Sequence, residues 1–116
     1  MIKILCAPRD EGIILRAEGH AGFAPHGLDI VCAGVSVLLQ TYYDYLRALL
    51  PMAEEGAYLE VEEKEGLLTI RSEGFGGRDR DGLSVVEVGL RKLARRYPNH
   101  VFYVGRVGAL DFEDQA

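Results

Sequence analysis

The chain has 116 residues, 48% of them hydrophobic and 27% charged, with a formal net charge of -5. That length holds one domain with one core, here taken as residues 1–116. No apolar run approaches the roughly 20 residues of a membrane span, and the acidic balance argues against a nucleic-acid face and for a basic partner.

The opening residues, MIKILCAPRDEG, pass from a short apolar stretch to charges without a signal-peptide cleavage pattern. The expected location is therefore cytoplasmic. Of the two cysteines, Cys6 and Cys32, the sequence alone leaves a disulfide open. A reducing cytosol favours two free thiols.

Residues 2–8 and 12–18 are short β-type runs joined through Arg9-Asp10-Glu11-Gly12, which predicts an antiparallel hairpin. Gly19 to Gly27 contains three further residues of turn type, Gly22, Pro25 and Gly27, and reads as a loop. From 30 to about 50, Val31, Val35, Leu38, Tyr42, Tyr45, Leu46 and Leu49 recur at helical spacing. Val37 and Leu39 lie elsewhere on this helix, so it is expected to be covered on more than one face. Pro51 ends it.

Residues 58–62 and 67–72 form a second hairpin around Lys64-Glu65-Gly66, with one buried and one wet face. The stretch 73–79 reads as a flexible connection, and a second helix is expected from about 83 to 97. Residues 101–107 read as a final strand and 111–116 as a polar tail. The order strand-strand-helix-strand-strand-helix-strand predicts an α+β sandwich, a mainly antiparallel sheet with two helices packed on it.

Chemistry concentrates between Gly19 and Cys32. Asp29 is a good N-cap residue, which makes Ile30 the first and Cys32 the third residue of the helix. A thiol there faces the unpaired N–H groups and positive end of the helix, an environment that favours thiolate. His20, twelve positions upstream at the junction of strand and loop, is within reach as a general base. N–H groups at the helix start can stabilise an oxyanion. Cysteine is also a common core residue; Cys6, among Ile4, Leu5 and Ala7, keeps that reading, and on residues alone Cys32 has both.

His26 is an alternative base, whereas His100 reads as an exposed turn residue. Asp29 is a cap first, and orienting the imidazole is a possible second role. Ser36, one turn after Cys32, either bonds its own backbone or borders the site. The tyrosines at 42, 43 and 45 fit a core or dimer interface better than a binding site. Gly74-Phe75-Gly76-Gly77-Arg78 lacks the Lys-Ser/Thr ending of a phosphate loop. The cysteines and histidines lack paired metal-ligand spacing, so no metal or cofactor is expected.

Gly19-His20-Ala21-Gly22, followed by Gly27-Leu28-Asp29-Ile30-Val31-Cys32-Ala33-Gly34-Val35-Ser36, resembles the signature of the ribosomal-processing cysteine protease family, Prp. The resemblance implies a compact α+β protein that tends to dimerise. It implies removal of a short N-terminal extension from a large-subunit ribosomal protein, the bacterial one numbered twenty-seven. It makes Cys32 the nucleophile and His20 its partner, and marks Asp29, Gly19 and Ser36 as site-associated. The loop 19–27 would then cover the site and order on substrate binding. Phe23 stands where the family commonly has tyrosine and Gly34 where it has alanine; close approach of another backbone would account for Gly34.

Two rival functions stay open on the sequence. One is a non-catalytic binding module for ribosome assembly, and the other a cysteine hydrolase acting on a different amide or thioester.

Overall fold

The computed structural model describes residues 1–9, 12–25 and 27–105. Its elements are β1 (Ile2–Arg9), β2 (Gly12–Gly19), α1 (Ile30–Leu49), a 3-10 turn (Leu50–Met52), β3 (Tyr58–Lys64), β4 (Leu67–Glu73), α2 (Arg78–Arg96) and β5 (Val101–Val104). The five strands form one sheet in the order β3-β4-β2-β1-β5. Three pairings are antiparallel. The fourth, between β1 and β5, is parallel. The mainly antiparallel α+β sandwich is thus observed, with a crossover through α2 supplying the parallel edge.

Alternation decides which face the helices cover. Ile2, Ile4 and Cys6 on β1, Ile13, Leu15 and Ala17 on β2, and Ile70 on β4 are buried, and their register places Cys6 beside Leu15 and Leu15 beside Ile70. Lys3, Leu5, Arg16 and Glu18 point the other way and are exposed. With a period of two, one apolar set must share one face.

α1 buries Val31, Val35, Leu39, Tyr42 and Leu46. Leu39 therefore belongs to the core stripe, while Val37 is 62% exposed. α1 is covered on more than one face, by the core beneath its buried stripe and by α2 along a neighbouring seam, but the expected cover does not reach Val37. Three side chains mark that seam: a Cβ added to Gly34 would lie 3.4 Å from Leu93, one on Gly89 2.9 Å from Leu38, and one on Gly82 2.5 Å from Tyr45. The positions ascend on α1 as they descend on α2, so the helices run antiparallel.

α2 begins at Arg78, five residues before its expected start. Buried Phe75 and Asp79 anchor the segment 73–79, which was expected to be a flexible connection. Asp79 Oδ2 accepts from Ser72 Oγ at 2.9 Å, its Oδ1 from the Arg80 N–H at 3.0 Å, and its carbonyl from Tyr42 Oη at 3.1 Å. One residue thereby joins β4, α1 and the first turn of α2.

A second buried carboxylate, Glu87, accepts from the Tyr103 hydroxyl. Burial, then that hydrogen bond, holds the Tyr103 phenol far above its ordinary pKa. The final strand stops at Val104. Residues 106 and 107 of the expected strand and the polar tail 111–116 lie outside the described residues, as does the Asp10-Glu11 part of the first turn.

Candidate active site

α2 approaches β2 and β5 while α1 leans on α2, so the helical layer stops short of β3. Val61, on the β3 face that looks toward the helices, is 43% exposed. The expected buried face of β3 is thus wet at this point, and the gap is a cleft of about 830 Å³, a volume suited to a small ligand or a few residues of peptide.

One wall is a stripe of α1 beside the core stripe: Cys32, Ser36, Gln40 and Tyr43, spaced four, four and three residues apart. The floor includes Ala17, Leu68, Ile70 and Val61, and Glu63, Lys64, Glu65 and Gly66 bring in the end of the β3–β4 hairpin. Gly19, His20 and Asp29 line the same cleft. All five residues singled out by sequence, Cys32, His20, Asp29, Gly19 and Ser36, therefore meet in one place.

Asp29 is the N-cap of α1, with extended backbone, and its Oδ1 accepts from the Cys32 N–H at 2.9 Å. Its Oδ2 accepts from the N–H groups of Phe23 at 3.0 Å and Ala24 at 3.4 Å. Desolvation raises the Asp29 pKa, but backbone donation from Cys32, Phe23, Ala24 and Val31 outweighs it and holds the carboxyl below its ordinary value. The same carboxylate fastens the helix start and the loop.

This capping takes up two of the donors at the helix start. The Cys32 N–H is bonded to Asp29, and the Ala33 N–H makes the first intrahelical bond to the Asp29 carbonyl at 3.0 Å. Neither is available to an oxyanion in this geometry.

Cys32 is the third residue of α1 and half-buried; Cys6 is 1% exposed in the core, and both are free thiols. His20 is exposed and follows directly on the last residue of β2. Its Nε2 lies 3.2 Å from the point a Cβ on Gly66 would occupy. Among the described residues no hydrogen bond joins His20 to Cys32; both line the same cleft. Gly19 turns the chain out of β2 at φ +99°, where a Cβ would stand 2.3 Å from the Met1 carbonyl oxygen. Only glycine fits both constraints.

The loop is tied to the body from the side of α2. Ala21 is buried, and its carbonyl lies 2.9 Å from His100 Nδ1. Phe23 meets the rings of Tyr97 and His100 edge-on, at 5.3 and 5.4 Å. His100 does sit in a turn, as expected, but half-buried, where it anchors the loop, and not exposed. His26, the alternative base, lies outside the described residues.

Sequence reasoning missed Gln40, Tyr43 and the hairpin end. Helical spacing from Cys32 pointed to the first two. Of the three tyrosines read together, Tyr42 is core, Tyr43 lines the cleft beneath the Arg47 guanidinium at 5.8 Å, and Tyr45 packs over Gly82. Nothing local in the sequence joins 63–66 to Cys32; the sheet does.

The family model for the cysteine protease Prp matches residues 1–102, nearly the whole of the described chain. The chain belongs to that family. The ribosomal processing cysteine protease Prp of Bacillus subtilis (strain 168) is 37% identical over 65 residues, covering 50% of this chain and 58% of the relative. The chain thus spans a little over half the length of that relative. Two structures of the ribosomal processing protease Prp from S. aureus share the fold. One, with a covalently linked product peptide, has a TM-score of 0.73 at 23% identity, covering 90% of this chain and 99% of that one. The other, with a substrate peptide, has a TM-score of 0.69 at 22% identity over the same shares. The resemblance read from Gly19-His20 and Asp29-Cys32 thus names the right family.

Proposed function

We propose that the chain is a cysteine endopeptidase that removes a short N-terminal extension from a ribosomal protein, the bacterial large-subunit protein numbered twenty-seven. The observation that carries this reading is the half-buried Cys32 thiol on the first turn of α1, in one cleft with the His20 imidazole. The names of the relatives support it: the B. subtilis protein is a ribosomal processing protease, and the S. aureus protein binds substrate and product peptides.

In the reaction proposed, the Cys32 thiolate attacks the scissile carbonyl carbon while the proton resides on His20. The tetrahedral adduct collapses, the C–N bond breaks, and the His20 imidazolium protonates the departing amine. A water molecule then gives its proton to His20 and attacks the thioester, which releases the acid and returns the thiol. Asp29 acts as a positioning residue, because it holds the Cys32 backbone and the loop rather than the reacting atoms. The apolar floor around Val61, Leu68 and Ile70 suits side chains of an extended peptide, and Glu63 and Glu65 on the same cleft suit a basic one.

A cytoplasmic location and a homodimer complete the proposal, on the strength of the resemblance. The test is incubation with a peptide spanning the extension and the first residues of the mature ribosomal protein, followed by mass spectrometry. One cut is expected with the wild type and none with Cys32→Ser. Tight binding of the peptide without cleavage would favour the non-catalytic assembly module instead.

A further inference from the structure

We infer that Gly66, in the β3–β4 turn, is a positioning residue that seats the His20 imidazole. The inference rests on the reading of His20 as the general base and adds a residue that neither spacing nor chemistry suggests.

Lys64 pairs with Leu67, so Glu65 and Gly66 alone make the turn. Gly66 takes φ +72°, a left-handed value that turns of this length demand and that glycine adopts without strain. The Gly66 carbonyl accepts from the Gly19 N–H at 2.8 Å, which ties the turn to the residue immediately before His20. On its other side, the missing side chain makes room for the imidazole. A Cβ there would stand 3.2 Å from His20 Nε2 and 3.8 Å from both Cδ2 and Cε1.

Other left-handed glycines do not share this arrangement. Gly22, Gly27, Gly56 and Gly77 have nothing within 4 Å of an added Cβ, Gly19 meets the Met1 backbone, and Gly74 meets Ala57. Gly66 thus meets two requirements at once: a backbone that only glycine adopts easily, and an empty flank that receives a ring. The exposed His20 has no side-chain hydrogen bond among the described residues. A methyl group at Gly66 would press obliquely on the Nε2 end of the ring, which must give by a few tenths of an ångström; since a misplacement of order 1 Å can cost a catalytic group about 100-fold, a shift of tenths is expected to cost several-fold.

The test compares Gly66→Ala with Gly56→Ala, which carries the same backbone strain at φ +83° in open space. The ring resonances of the three histidines are followed by NMR, alongside the pH profile of peptide cleavage. Gly66→Ala is expected to shift the His20 ring signals, lower kcat at least about 5-fold beyond Gly56→Ala, and move the limb of the profile that follows the imidazole. In a His20→Ala background, Gly66→Ala should cost no more than Gly56→Ala. Unmoved His20 ring signals would overturn the seat whatever the kinetics, as would an equal loss in the His20→Ala background. If instead His20→Ala cleaves as fast as wild type, the base assignment fails, while the ring signals still decide the contact.

Discussion

Asp29 serves two structures with one carboxylate: Oδ1 caps α1 at Cys32, and Oδ2 gathers the Phe23 and Ala24 N–H groups. Replacing it with alanine is expected to cost about 0.5–2 kcal/mol through the lost cap and to slow the chemistry at Cys32. The pH dependence has a definite sign. Backbone donors overcome desolvation and hold the folded carboxyl below its unfolded value, which is about 3.9. The ionised cap therefore stabilises fully above that value and loses its contribution as the pH falls through the folded one. Urea unfolding should show a clear gap between wild type and Asp29→Ala at pH 7 and a smaller one at pH 3. At this scale much was legible in the sequence. A cap residue three before a cysteine is a local pattern, and local patterns survive folding. The capture of the Phe23 and Ala24 N–H groups by the other oxygen was not, since it depends on how the loop folds back onto the carboxylate.

Among the elements, the strands and α1 followed directly from their periodicity, whereas the start of α2 did not. Gly77 and Gly82 flank Arg78-Asp79-Arg80-Asp81, so composition there says loop. Burial of Asp79 among Ser72, Tyr42 and the Arg80 N–H of its own helix overrides it. Arrangement of the helices also resolves Gly34. Its neighbour is the Leu93 side chain at 3.4 Å, an ordinary contact, and not another backbone. Gly34→Ala should therefore leave activity intact and stabilise the protein by up to about 1 kcal/mol, the helix-propensity difference, measured as a rise in the urea midpoint. The neighbouring seam positions differ, because an alanine at Gly82 would drive a methyl to 2.5 Å from the Tyr45 ring. His100 shows the limit of local reading: a turn residue in sequence, it holds the loop through Ala21 and Phe23.

Over the whole molecule, the site is a consequence of incomplete cover. Two helices on a five-stranded sheet leave the β3 side bare, and the bare strip lies beside the stripe of α1 that carries Cys32. The sequence showed a thiol, a cap and an imidazole; it could not show the hairpin end that completes their surroundings, because that juxtaposition is made by strand order. The central claim is that this cleft makes one of two thiols reactive through His20. Iodoacetamide labelling of the native protein at pH 7, resolved by peptide mass mapping and compared with glutathione, tests it most directly. Cys32 is expected to react several-fold faster than glutathione, with Cys6 silent in the core, and to slow in His20→Ala. A native Cys32 that reacts no faster than glutathione, or at the same rate with and without His20, would contradict it.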